Sequence, residues 1–268
     1  MDKIRNLIVL LIVMSLALAL VGTARDIESS DYRSSADASG GVALLEQYEN
    51  NSVDDVQNSI DELYRSKQES LATETLKKRV ETSIRRIDNG ELTYREVFRD
   101  VYVAGDSLMV ALDSYELINR NHVMAKVSAT LVDLKNNIPK IESAKPRVLI
   151  LHYGLNGVYA NENYAIDFAS RYKELIEKIQ TVSPNTRIIV SLIFPIDRNR
   201  EKKVRFNYIE RYNELIVEMC KETGVEYLDS ADIVNANMHY CGGDGIHFAK
   251  EFYTEHWFKH IMREMGIY

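Results

Sequence analysis

The sequence predicts a three-layer α/β/α domain built on a mostly parallel five-stranded sheet. Three observations carry the prediction. After Asn89-Gly90 the chain alternates short apolar runs with amphipathic segments, the pattern of parallel strands joined by right-handed crossovers with helices on both faces. Pro184-Asn185 and Gly224 each punctuate a helix just before a strand, as αβ connections require. The length of 268 residues holds one full core of roughly 150 to 200 residues and leaves a surplus at the amino end.

That surplus divides into three. From Asn6 to Ala24 no residue is charged, Leu, Ile, Val and Ala dominate, and Lys3 and Arg5 precede the run. Such a segment is long and apolar enough to cross a bilayer, with its basic flank cytoplasmic and the rest of the chain outside. Residues 1–24 therefore read as an uncleaved single-pass anchor. The rival is a signal peptide cleaved after Ala24, with Gly22-Thr23-Ala24 supplying the small residues, which would make the protein secreted. No cysteine follows the run to carry a lipid. Residues 25–41, rich in Ser, Asp and Ala and ending Ala38-Ser39-Gly40-Gly41, read as a flexible linker. Residues 42–94 carry Leu45, Tyr48, Val53, Val56, Ile60 and Leu63, then Leu76, Val80, Ile84 and Ile87, mostly at three- and four-residue spacings. They predict helix, in two pieces because the apolar seam lapses around 65–75, as surface packing or a spacer rather than a sustained coiled coil.

The remaining residues, 95–268, form the expected catalytic-type domain. Strands are predicted at 101–104, 122–126, 147–152, 187–192 and 225–228, and helices near 107–118, 164–181, 204–223 and 249–265. No helix is assigned between the second and third strands, and no internal repeat is visible.

Composition excludes some functions. The net charge is −7 and the charges are mixed along the chain, so the dense basic face that phosphate binding needs is absent and a nucleic-acid partner is not expected. The two cysteines, Cys220 and Cys241, fit no metal spacing, and His239 lies too close to Cys241 to make a zinc site alone. They read as unpaired packing and loop residues, a disulfide being the alternative outside the cytosol. No metal or organic cofactor is implied, and nothing sets the oligomeric state.

The chemistry concentrates at strand ends. Gly105-Asp106-Ser107-Leu108 follows the first strand directly, so the Ser107 hydroxyl is delivered to the carboxyl edge of the sheet, where open α/β folds bind ligands. A serine needs a base to become a nucleophile, and Asp244-Gly245-Ile246-His247 supplies one. His247 would take the Ser107 proton while Asp244 holds the other imidazole nitrogen. The bland reading of Ser107 is a helix cap. After the third strand comes Tyr153-Gly154-Leu155-Asn156-Gly157, where the Asn156 amide can donate to an oxyanion, or Asn-Gly can simply turn the chain. His152, the alternative base, ends an apolar strand with no carboxylate nearby in sequence.

These three blocks, GDSL at 105–108, GLN at 154–156 and DGIH at 244–247, stand in one order and resemble the GDSL/SGNH hydrolase family over roughly 95–265. The resemblance implies a flavodoxin-like α/β/α fold and a serine esterase. It makes Ser107 the nucleophile and, through its backbone N–H, the first oxyanion donor. It makes His247 the base, Asp244 its orienter, and Asn156 in the Gly154 block a second donor. Two departures stand out. Where the family has a second-block glycine, Lys126-Val127-Ser128-Ala129-Thr130 offers only Ser128, which keeps an N–H but has less freedom to adopt positive φ. Where the third block usually continues with Asp, this chain has Gly157, losing a loop-bracing carboxylate.

Resemblance and anchor together imply a membrane-held, extracytoplasmic esterase acting on acetyl or other small acyl esters of a cell-surface or secreted glycan. An acyltransferase using the same triad differs only in the acceptor that reaches the acyl-enzyme. A non-catalytic glycan-binding or scaffold protein would account for the altered blocks but not for keeping Ser107, Asp244 and His247 together. Tyr102, Tyr153, Tyr159 and Tyr164 read as sugar-stacking side chains or as core; little suggests an acyl channel for a lipid.

Overall fold

Between Val53 and Asp88 the chain contains neither glycine nor proline, and this stretch is one continuous helix, α1 (Val53–Asp88), in the computed structural model, which describes residues 53–268. The expected anchor at 1–24, the linker at 25–41 and the start of the 42–94 region lie outside the described residues. No helix among the described residues is long and apolar enough to cross a membrane. The expected break into two helices does not occur. Around 65–75 the apolar seam lapses, but Glu, Gln, Lys, Leu and Ala are all good helix formers, so what is lost is packing and not helicity. Two compact units divide at Lys67 and Gln68. In the first, the described side chains of α1 are exposed. In the second, which runs to Tyr268, Val80 and Ile84 of α1 are buried in the core.

The second unit holds the sheet. After the short helix α2 (Tyr94–Val97), strand β1 (Val101–Gly105) leads into α3 (Ser107–Ser114), and β2 (Val123–Ala125) follows. Helix α4 (Leu131–Ala144) precedes β3 (Val148–His152), and α5 (Glu162–Val182) connects to β4 (Arg187–Ser191). Then come α6 (Ile209–Thr223), β5 (Glu226–Leu228), α7 (Ala231–Ala236) and a π-helical turn, Phe252–Trp257, that runs into α8 (Phe258–Met265). The strand order is β2-β1-β3-β4-β5 and every pair is parallel, so the sheet expected to be mostly parallel is wholly so. With right-handed crossovers, the reversal of direction at β1 sends α3 and α4 to opposite faces. The α3 face is closed by the C-terminal helix, whose Tyr253 hydroxyl donates to the Leu108 carbonyl at 3.0 Å.

Helix α4 is the one crossover absent from the sequence expectation. Pro139 lies inside it, and a proline removes a ladder hydrogen bond and normally ends a helix. Here Thr130 and Asp133 form a reciprocal capping box, and Leu131, Leu134, Ile138 and Ile141 bury one face; that stripe outweighs the lost bond. The expected helix over 204–223 likewise splits into a 3₁₀ turn, Val204–Tyr208, and α6.

The core is centred on β3, whose five residues are all buried, as a central parallel strand covered on both faces must be. The register sets Gly105 level with Ala125 on one side and His152 on the other. The three segments that leave β1, β2 and β3 therefore emerge side by side at one sheet edge, at the point where the strand order reverses.

Candidate active site

Gly105 ends β1 where the backbone is most crowded. A Cβ there would stand 2.6 Å from the His152 carbonyl oxygen and 2.5 Å from Met109 Cγ, so no side chain fits without a shift. The next residue, Asp106, takes the capping role: its Oδ1 accepts from the Leu108 N–H at 3.0 Å. Ser107 is thus the first residue of α3 and not its cap. Its hydroxyl is half-buried and bonded elsewhere, to His247 Nε2 at 2.8 Å.

The histidine arrives on a loop that the chain closes tightly. Cys241 bridges Phe248 in antiparallel fashion, the Gly242 N–H donates to the His247 carbonyl at 2.7 Å, and the Gly245 N–H to the Gly242 carbonyl. Gly245 has φ of +75°, and a Cβ would lie 2.9 Å from the Asp197 carbonyl oxygen, so both conformation and space demand glycine. Within this loop Asp244 Oδ2 holds His247 Nδ1 at 2.6 Å, while Asp244 Oδ1 accepts from the Ile246 and His247 N–H groups at 2.9 and 3.1 Å. Partial burial raises the Asp244 carboxyl pKa, but the His247 ring and the two backbone donors outweigh it and bring it to about 2. Asp244 is consequently ionised throughout the neutral range. Serine, histidine and aspartate form one unbroken relay, with the His247 and Asp244 side chains about half exposed, 49% and 51%, open to water on one side.

The segments after β2 and β3 meet beside Ser107. The Asn156 amide donates to the Ala129 carbonyl at 3.1 Å, tying the Gly154 block to the Ser128 block, and the amide carries a second N–H. Gly154 has φ of +144°, and a Cβ would lie 2.4 Å from Ile193 Cδ1. Ser128, exposed in the turn closed by the Ala129 N–H to the Lys126 carbonyl, has φ of +60°.

The sequence of residues 105–254 matches that of the GDSL-like lipase/acylhydrolase family, and the match spans the whole site from Ser107 to His247. The chain belongs to this family. As a GDSL-like acylhydrolase it is a carboxylic ester hydrolase. No curated protein matches it. Among solved structures it is similar to the lipase/acylhydrolase of Enterococcus faecalis, at 16% identity and a TM-score of 0.49, covering 62% of this chain and 95% of the other. It is also similar to an acetylxylan esterase of Geobacillus stearothermophilus, at 16% identity and a TM-score of 0.47, covering 63% and 94%. Membership rests on the matched sequence.

Both departures of this GDSL-like acylhydrolase now have a physical account. Ser128 adopts the left-handed conformation that glycine takes freely, a strain on the order of 1 kcal/mol for a residue with a Cβ. The missing carboxylate at Gly157 is replaced by other bracing. The Gly157 carbonyl accepts from Tyr212 Oη at 3.1 Å, and its N–H donates to the Gly154 carbonyl at 2.7 Å. A Cβ at Gly157 would press to 3.2 Å from the Phe168 ring.

Two contributors were not read from the sequence. Arg200 Nη1 donates to the carbonyls of Cys241 and Gly242 at 2.6 and 3.0 Å, so the 197–201 turn buttresses the loop that carries Asp244 and His247. Asp106 is buried with Oδ2 lacking a partner; burial raises its pKa against the opposing influence of His152 and the Leu108 N–H. His152, the alternative base, is buried with its pKa lowered by that burial and pairs with Ser191 Oγ at 3.1 Å, whereas the Ser107 hydroxyl is paired with His247. Cys220 and Cys241 are both buried free thiols.

Proposed function

We propose that this acylhydrolase removes an acetyl or another small acyl group from a cell-surface or secreted glycan through an acyl-enzyme on Ser107. The observation that carries the reading is the relay from Ser107 Oγ to His247 Nε2 at 2.8 Å and from His247 Nδ1 to Asp244 Oδ2 at 2.6 Å. Ser107 Oγ attacks the acyl carbonyl as His247 Nε2 takes its proton, and ionised Asp244 stabilises the imidazolium that forms. The tetrahedral oxyanion is received by the Ser107 N–H, the Ser128 N–H and the second N–H of the Asn156 amide. As the first residue of α3, Ser107 has an N–H with no intrahelical acceptor, at the positive end of the helix. His247 then returns its proton to the departing sugar oxygen, the C–O bond to the acyl carbon breaks, and the sugar leaves as an alcohol. Water enters from the exposed side of His247 and attacks the acyl carbon as His247 takes its proton; the bond from that carbon to Ser107 Oγ then breaks, His247 returns the proton to Oγ, and the carboxylic acid leaves. Membership of an acylhydrolase family supports hydrolysis rather than transfer to a bound acceptor. The uncharged run from Asn6 to Ala24 behind Lys3 and Arg5 supports a membrane anchor with the enzyme outside.

The full chain in detergent, given acetylated oligosaccharides, is expected to release free acetate and leave no new acyl ester on added sugar. Turnover of simple esters with none of acetylated sugars would overturn the glycan reading, and new sugar esters would overturn hydrolysis. Ser128 offers a finer check. Ser128→Gly is expected to keep kcat within about twofold, because glycine accepts φ of +60°. Ser128→Val, β-branched at positive φ, is expected to move the N–H and lower kcat on the order of 10- to 100-fold in steady-state assays.

A further inference from the structure

Two tyrosines beside the site have their backbone held and their rings left uncovered. Tyr159 and Tyr164 are 53% and 56% exposed, and their rings lie 5.1 Å apart at 31°, a tilted pair and not a buried cluster. The backbone beneath them is fixed. The Tyr159 N–H donates to the buried Tyr212 hydroxyl at 3.1 Å, the same group that holds the Gly157 carbonyl. Tyr164 sits in the first turn of α5, capped by Asn161 Oδ1. By contrast Tyr153 is buried in the core and Tyr102 stacks on His122 at 4.1 Å, so the other two tyrosines near the site are already used in packing.

The pair borders a cavity of 290 Å³ whose lining includes Thr130, Val132, Gly157, Asp167 and Arg171. Thr130 is two residues from Ser128 and Gly157 is the neighbour of Asn156, so the cavity opens within about 7 Å of chain from both proposed oxyanion donors. Along the same face of α5 as Tyr164 the lining is charged: Asp167 and Arg171 pair with each other at 2.9 Å with both side chains at least half exposed. This volume sits at the lower end for small-molecule sites, about 300 Å³, which suits one ring and not an extended chain. An exposed aromatic face beside an exposed carboxylate and guanidinium matches a pyranose, which offers C–H groups on its faces and hydroxyls around its edge.

We infer that this cavity is the subsite for the sugar ring that carries the scissile ester, with Tyr159 and Tyr164 as its stacking platform and Asp167 and Arg171 binding its free hydroxyls. The inference rests on the glycan-esterase reading and adds where the sugar lies. It assigns the two tyrosines to binding and not to chemistry.

The test compares full-length wild type with Tyr159→Ala/Tyr164→Ala on two probes, a monoacetylated methyl β-xylopyranoside, which keeps two free hydroxyls, and ethyl acetate, by acetate release. Expected is a rise in KM for the sugar ester on the order of tenfold, with ethyl acetate turnover and thermal stability unchanged. Equal kinetics of the two proteins on the sugar ester would overturn the subsite while leaving the esterase reading intact. A parallel loss on both probes would also overturn it, by assigning the tyrosines a structural role. A wild type that cleaves ethyl acetate and no sugar ester would overturn the glycan reading and the subsite together. As a second readout, Asp167→Asn/Arg171→Gln is expected to raise the same KM selectively; no change would remove the charged pair from the subsite.

Discussion

Ser107→Ala is expected to lower the turnover of p-nitrophenyl acetate on the order of 10⁴-fold or more, because the proposed acyl-enzyme forms on this serine and its loss leaves that mechanism only binding and oxyanion donors. The fold should survive this change. Asp106 caps α3 through the Leu108 N–H, and the buried face of α3 is Leu108, Met109 and Leu112, none of which the substitution touches. The lost hydrogen bond to His247 Nε2 lies at a partly exposed site, so the stability change should stay within about 1 kcal/mol. Initial rates on both proteins, with thermal unfolding alongside, check the two halves. Turnover at the wild-type rate by Ser107→Ala would remove the serine from the mechanism.

His247→Ala is expected to cost nearly as much as Ser107→Ala, and the double variant no more than either alone. Groups that act as one unit are not additive, since without the base the serine is already inactive and without the serine the base has no proton to take. Asp244→Asn should cost less, because its imidazole partner is still present, although the amide cannot stabilise the imidazolium as a carboxylate does. The wild-type carboxyl, with its pKa at about 2, supplies a full negative charge at every pH where the enzyme would be assayed. Steady-state rates for the three single variants and the double variant decide this; a double variant as slow as the product of the two single losses would mean that Ser107 and His247 act independently.

How much of this was legible in the sequence depended on whether the determining contact is local. The strands β1, β3 and β4 and the Ser107, Asn156 and His247 blocks announce themselves because a buried parallel strand is a short apolar run that ends abruptly in polar or small residues. Asp244 and His247 are three residues apart, so their pairing needs no knowledge of the fold. Helix α4 was hidden by Pro139, since a single proline signals a stop more loudly than a capping box and a four-residue apolar stripe signal a helix. The continuity of α1 was obscured for the opposite reason: an absent apolar seam looks like an absent helix. Residues that act through distant backbone were the least visible. Arg200 reaches carbonyls some forty residues away, and Tyr212 braces Gly157 and Tyr159 from another helix. Neither carries a local signature. Ser128 is a different case, because its φ of +60° contradicts what its side chain prefers and follows from the turn it must make.

The central claim, that Ser107 is the activated nucleophile, is tested most directly by a serine-directed fluorophosphonate on the full-length protein, with the adduct located by peptide mass spectrometry. The account predicts a single adduct on Ser107 in the wild type, and its loss or severe slowing in His247→Ala. An adduct on another residue, or none on the folded wild type, would contradict it.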